Sequence, residues 1–186
     1  MWQAYDPFRP RAGTTATYTL PMRRPSRDPV GPGQESVWDY PRPPALRRVE
    51  RPIRVVLGGQ DICRAPGAWQ VLETSHPPTY YLPRTAFIDG ALTDAEGSSF
   101  CEWKGTARYF DVHGGGRTAP RAAWTYPRPS IGFEQLADHV ALYPAAMDAC
   151  FVGEEQVRPQ PGGFYGGWIT SEVVGPFKGS PVTSGW

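Results

Sequence analysis

Glycine and proline interrupt this chain throughout, with 21 Gly and 22 Pro among 186 residues. Proline lacks an amide donor and clashes with the preceding turn, and glycine loses the most backbone freedom on ordering, so neither suits a helix interior. That content approaches the compositional border of disorder. Yet the same chain carries 7 Trp, 9 Tyr and 8 Phe, aromatic area that favours a packed interior. Short strands joined by tight turns in one domain satisfy both facts. No apolar run approaches the roughly 20 residues of a membrane helix. The opening MWQAYDPFRPR also lacks the basic-then-apolar order of a signal peptide. The expectation is a cytoplasmic protein with no membrane partner, its three distant cysteines (Cys63, Cys101, Cys150) reduced.

Charge divides the chain unevenly. Residues 1–54 hold ten Arg and five acids, whereas 55–186 hold nine basic and thirteen acidic residues. The overall net charge of +1 provides no field that would select a partner. Residues 1–35 carry six prolines and no periodic pattern, which predicts a disordered Pro/Arg-rich arm, and Met22 is an alternative start to Met1. The arm has no recognition motif, so nucleic acid is not an expected partner. A β-rich core domain is expected over 36–160, and a docked Gly/aromatic tail over 161–186, its rings a candidate flap or lid.

The core signals are hairpin signals. Ile53–Leu57 runs into Gly58-Gly59 and out through Gln60–Cys63, and Thr106–Val112 runs into His113-Gly114-Gly115-Gly116 and returns over Ala122–Tyr126. Glycine supplies the positive φ of such turns. Ala68–Glu73 and Thr79–Leu82 read as further strands, and Ala149–Val152 with Gly153 as another hairpin. One short helix is predicted after Ser130, with Phe133, Leu136, Ala137 and Val140 on one face. The two Gly turns are each followed by an Ala-Pro…Trp echo, and Trp38-Asp39-Tyr40-Pro41-Arg42-Pro43 recurs as Trp124-Thr125-Tyr126-Pro127-Arg128-Pro129. These echoes predict two similar hairpins folded against each other. The fold class is mainly β, in twisted antiparallel hairpins.

Several chemistries lack their motifs: there is no phosphate loop, no dinucleotide-binding Gly run, no Cys-x-x-Cys or His-Glu-x-x-His, and no nucleophile elbow. No metal is expected, and the sequence names no cofactor. What stands out is the corner Leu72-Glu73-Thr74-Ser75-His76-Pro77-Pro78-Thr79-Tyr80-Tyr81-Leu82-Pro83. The paired prolines stiffen it, and a stiff corner can hold the Glu73 carboxylate beside the His76 imidazole as an acid/base pair or polar anchor. Tyr80 and Tyr81 face opposite sides of a strand, so only one shares a surface with His76. In Phe100–Phe110, alternation puts Lys104 opposite Cys101 and Trp103, leaving Trp103 in the core and Lys104 as the partner of an anion.

The run VWDYPRPP, LETSHPPTYYLP, CEWKG, AAWTYPRPS and GGFYGGWITSEVVGPFKG, in that order, resembles the bacterial domain-of-unknown-function family 427 over about residues 35–186. The resemblance implies a β-rich fold of the tent-like Mss4 and methionine-sulfoxide-reductase type. Such relatives often bear Cys-x-x-Cys zinc clips that this chain lacks. A nucleotidyltransferase label attaches to the family and makes such an activity a second alternative, but no Gly-Ser here is followed by the Asp-x-Asp of that chemistry. The resemblance singles out Glu73, His76, Tyr81, Lys104, Tyr109, Trp124 and Tyr126. The leading expectation is a small polar or anionic metabolite bound in a cleft between the sheets. Glu73, His76 and Lys104 would do any chemistry there, and Tyr81, Tyr109, Trp124 and Tyr126 would form the walls. The rival is a protein-interaction module that presents its Trp-x-Tyr-Pro-Arg-Pro segments and aromatic tail to a partner.

Overall fold

The computed structural model describes residues 25–179 and Thr183. Its strands are β1 (Glu35–Ser36), β2 (Ala45–Val49), β3 (Ile53–Leu57), β4 (Gln60–Ala65) and β5 (Ala68–Leu72). They continue with β6 (Thr79–Pro83), β7 (Leu92–Cys101), β8 (Gly105–Gly114), β9 (Arg117–Thr125) and β10 (His139–Leu142). The chain then forms β11 (Ala149–Val152), β12 (Glu155–Gln156), β13 (Arg158–Pro159), β14 (Trp168–Ile169) and β15 (Val173–Val174). A seven-stranded sheet has the order β2-β5-β6-β10-β9-β8-β7, and a four-stranded sheet the order β12-β11-β3-β4. Two small ladders, β1-β15 and β13-β14, tie the ends to this body. The fold is mainly β, and its two larger sheets are antiparallel throughout.

The main core lies between the two larger sheets. Val55, Leu57, Ile62 and Cys150 come from the smaller sheet, and Tyr80, Leu82, Phe110, Val140 and Leu142 from the larger. Period-two alternation sends their neighbours to the other face of the large sheet, where Val71, Tyr81, Ala107, Trp124 and Ala141 form a second apolar cluster. Trp168 closes the main core. It is fully buried, stacks on Tyr80 at 4.9 Å between ring centroids, and donates its indole N–H to Leu142 O at 3.4 Å.

Both Gly turns connect hairpins, β3 to β4 and β8 to β9, and the two tips touch. A Cβ on Gly58 would run into Gly114 and Gly115, and one on Gly115 would run into the Gly58 carbonyl. Gly115 N–H also donates to Gln60 Oε1 at 2.8 Å across the junction. Bare backbone is therefore what lets the sheets meet at this end.

The predicted short helix is a single 3-10 turn, Glu134–Leu136. Gly132 and Asp138 both adopt positive φ, at 91° and 59°, and break the chain on either side. Val140 then joins β10, whose place between β6 and β9 satisfies its backbone on both edges. Phe133 and Leu136 are buried as a helix face would have buried them.

Of the expected arm, residues 1–24 lie outside the described residues, whereas 25–35 run against the body. Arg27 pairs with Asp39 at 2.6 Å, and Asp28 N–H donates to Gly175 O at 3.1 Å. Glu35 accepts from both terminal nitrogens of Arg47, at 2.6 and 2.9 Å, and from the Tyr40 hydroxyl at 2.7 Å. These bonds, the Arg47 guanidinium foremost, hold its carboxyl below the usual carboxylate range. Such charge-assisted contacts and the β1-β15 pairing offset the ordering entropy that composition alone weighs against this segment.

Candidate functional site

The outer face of the large sheet is hollow. Tyr81 and Trp124 on its floor are large rings beside the small side chain of Ala107, and segments from elsewhere rise around them. Arg42 follows the first Trp-x-Tyr motif, residues 102–104 form the turn between β7 and β8, the 73–79 corner links β5 to β6, Gln160 precedes the tail, and Phe164, Tyr165, Gly166 and Lys178 come from the tail itself. Together they enclose a cavity of about 550 Å³, within the range of small-molecule sites.

All seven residues singled out in the sequence line this one cavity: Glu73, His76, Tyr81, Lys104, Tyr109, Trp124 and Tyr126. Its location differs from expectation. The cleft was expected between the sheets, but that space is filled by the main core, and the hollow opens on the opposite face. Tyr81 is the member of the tyrosine pair that faces it, while Tyr80 packs inward on Trp168.

The walls are aromatic and ordered by hydrogen bonds. Trp124 Nε1–H donates to the buried Tyr81 hydroxyl at 3.2 Å, and the two rings meet edge-on at 6.4 Å and 88°. Tyr143 lies 4.7 Å from Trp124 and Tyr126 lies 6.3 Å from Tyr81, centroid to centroid. Burial pushes the Tyr81 and Tyr126 phenols above their ordinary value, so both remain neutral donors at physiological pH. The Tyr109 hydroxyl is 2.7 Å from Ser99 Oγ, and the Arg121 guanidinium sits 4.3 Å from its ring centroid.

Glu73 and His76 do not form the expected side-chain pair. The His76 amide donates to the Glu73 carbonyl at 3.0 Å, closing a turn in which Ser75 takes φ 71°. The Glu73 carboxylate instead meets Arg42 Nη1 at 3.7 Å, and Arg42 also reaches Glu102 at 3.3 Å. The His76 ring is held by Gln160, with Nδ1 3.0 Å from Nε2 of that amide, and packs edge-on against Tyr165 at 4.5 Å. Burial, and then the positive charges of Lys178, Arg42 and Lys104, pull the imidazole down to about 4, so it is neutral at pH 7.

Lys104 is only 8% exposed. Its ammonium sits 5.8 Å from the Tyr126 ring centroid and 6.0 Å from that of Phe133, with no carboxylate partner among the described residues. Strand alternation does not carry it away from Cys101 and Trp103, because β7 ends at Cys101 and the turn wraps all three onto the cavity. Trp103 is therefore a wall residue, and its buried Nε1–H has no acceptor among the described residues. A buried donor without a partner is uncommon in folded proteins.

Sequence reasoning missed Arg42, Tyr143, Gln160 and Lys178, and it placed Tyr165 in the tail without a partner. The repeated Tyr-Pro-Arg-Pro motif was a signal for Arg42, but no local spacing marks Gln160 or Lys178. Among the described residues no group of three or more His, Cys, Asp and Glu side chains gathers to hold a metal ion. No helix of the described residues is long and apolar enough to cross a membrane.

No curated protein matches the chain in sequence. A family model for a domain of unknown function, DUF427, matches residues 45–153. That span runs from β2 to the turn after β11 and includes all seven cavity residues singled out in the sequence. The chain belongs to the DUF427 family of domains of unknown function.

Proposed function

We propose that this domain binds a small organic anion with a flat, unsaturated body in the cavity on the outer face of the large sheet. The observation that carries this reading is Lys104: a lysine only 8% exposed, its ammonium framed by aromatic rings and with no carboxylate partner among the described residues. A charge held this way is costly without a counter-ion, and a bound anion supplies one. The Trp103 Nε1–H adds a second donor with no acceptor among the described residues, and the two lining carboxylates, Glu73 and Glu102, already face Arg42. The aromatic walls match a flat apolar body.

Binding is favoured over proton transfer as the role of the polar residues. A neutral His76 and a Glu73 directed at Arg42 form no acid/base pair. In this reading Lys104 takes the anion, His76 hydrogen-bonds to it, and Glu73 orients Arg42. The interaction-module reading is weaker, because Tyr40, Trp124 and Tyr126 of the Trp-x-Tyr-Pro-Arg-Pro segments are buried and cannot be offered to a partner.

Calorimetric titration with phenyl phosphate and benzoate, against benzyl alcohol as the neutral control, tests the proposal. Both anions are expected to bind and the alcohol to bind far less. Lys104→Met should weaken the anions about ten- to a hundredfold, the worth of one charged hydrogen bond. Equal binding of anion and alcohol, or a Lys104→Met variant that binds as well as the wild type, would overturn it.

A further inference from the structure

Gln160 is 3% exposed, and its amide makes three contacts. Oε1 accepts from Gly167 N–H at 3.1 Å, and Nε2 lies 2.6 Å from the Lys178 carbonyl oxygen and 3.0 Å from His76 Nδ1. A backbone N–H can only donate and a carbonyl can only accept, so just one orientation of the amide fits: oxygen to Gly167, NH₂ to Lys178 and His76. One NH₂ hydrogen is spent on the Lys178 carbonyl. The other is directed at Nδ1, which must therefore present its lone pair. A neutral imidazole with an accepting Nδ1 carries its proton on Nε2.

We infer that Gln160 is a positioning residue that fixes His76 as the Nε2–H tautomer, so that the ring meets the cavity as a hydrogen-bond donor and selects ligands with an unprotonated oxygen. The tautomer follows from the protein's own contacts, and the ligand class rests on reading the cavity as an anion site. His76 Nε2 has no protein partner among the described residues, and the residue lines the cavity. The groups facing the ring agree with this assignment. Arg42, Lys104 from the β7-β8 turn and Lys178 from the tail all oppose a second proton, and the nearby carboxylate, Glu73, faces Arg42. Protonating Nδ1 would also set its N–H against the Gln160 NH₂. Gly167 takes part as well, because a Cβ there would strike Gln160 Oε1 and Pro77, so the close approach that pins the amide depends on a bare backbone.

The test is a two-bond ¹H–¹⁵N correlation spectrum of the full chain labelled in histidine, recorded at pH 7 without ligand. His76 is expected to show an unprotonated Nδ1 and a protonated Nε2. Gln160→Leu should release the ring into a mixture of both tautomers, and Gln160→Glu should move the proton to Nδ1. Addition of phenyl phosphate to the wild type should shift the Nε2 resonance. A wild-type ring protonated on Nδ1 overturns the inference whatever the cavity binds, and this needs no variant to fold. Unchanged tautomers in a folded Gln160→Leu protein overturn the positioning role. The donor pattern with no Nε2 shift on adding phenyl phosphate leaves the lock standing and overturns the anion site and ligand class.

Discussion

Acidification is expected to destabilise this protein through one imidazole. His76 has an ordinary value of 6.5 in the unfolded chain and about 4 in the folded protein. Between those two pH values the unfolded chain binds a proton that the native ring refuses. Stability therefore falls as the pH drops from about 6.5 to about 4, and the loss from this group levels off below that. At about 1.4 kcal/mol for each pH unit, the whole effect is roughly 3 kcal/mol. That is a large share of the roughly 5–15 kcal/mol that holds a domain together. Urea unfolding followed by tryptophan fluorescence, at pH steps from 7.5 to 4, measures it. Carboxylates such as Glu35 lose stability over part of the same range, so His76→Gln, which cannot titrate, serves as the reference. The wild-type and variant curves should run parallel above pH 7 and diverge by roughly 3 kcal/mol at pH 4, with the wild type falling faster. Curves that stay parallel to pH 4 would refute the reasoning, because the ring would then accept its proton as readily folded as unfolded.

The hairpin contact makes a contrast between neighbours. Gly115→Ala places a Cβ in the Gly58 carbonyl, whereas Gly116→Ala, also at positive φ, meets nothing within 4 Å. Urea unfolding should show about 1 kcal/mol lost at Gly116 from backbone strain and at least about 2 kcal/mol more at Gly115. Equal losses would mean that the tips do not touch in solution. Trp103→Phe removes the buried indole N–H that lacks an acceptor among the described residues, so the free protein should gain about 1 kcal/mol in the same assay while its affinity for phenyl phosphate falls. A loss of stability with unchanged affinity would remove Trp103 from the site.

What the sequence disclosed was local. The Gly-marked hairpins β3-β4 and β8-β9 could be read because a tight turn needs particular residues at particular places. By contrast β7, written Leu-Thr-Asp-Ala-Glu-Gly-Ser-Ser-Phe-Cys, is an edge strand exposed along most of its length and shows no apolar alternation. The spacing of Phe133, Leu136 and Val140 fitted a helix, yet pairing on both edges drew Val140 into a strand. The cavity residues were legible where aromatic and polar side chains cluster within one segment, as at Glu73–Tyr81. Their partners were not. Gln160 reaches His76 across 84 positions, and Arg42 claims Glu73 from another segment. Proximity along the chain suggested a Glu73–His76 pair that the three-dimensional arrangement resolves into two separate contacts.

The meeting of the hairpin tips ties two distant turns into one evolutionary unit. Gly58 sits in the small sheet's turn, and Gly114 and Gly115 border the large sheet's turn, each leaving no room for a methyl group on its counterpart across the junction. Selection cannot weigh these positions one at a time: a side chain gained at either tip demands that the other loop recede. In relatives that keep the same spacing of layers, the glycines should persist together, and where one is replaced, the opposite turn should change length as well.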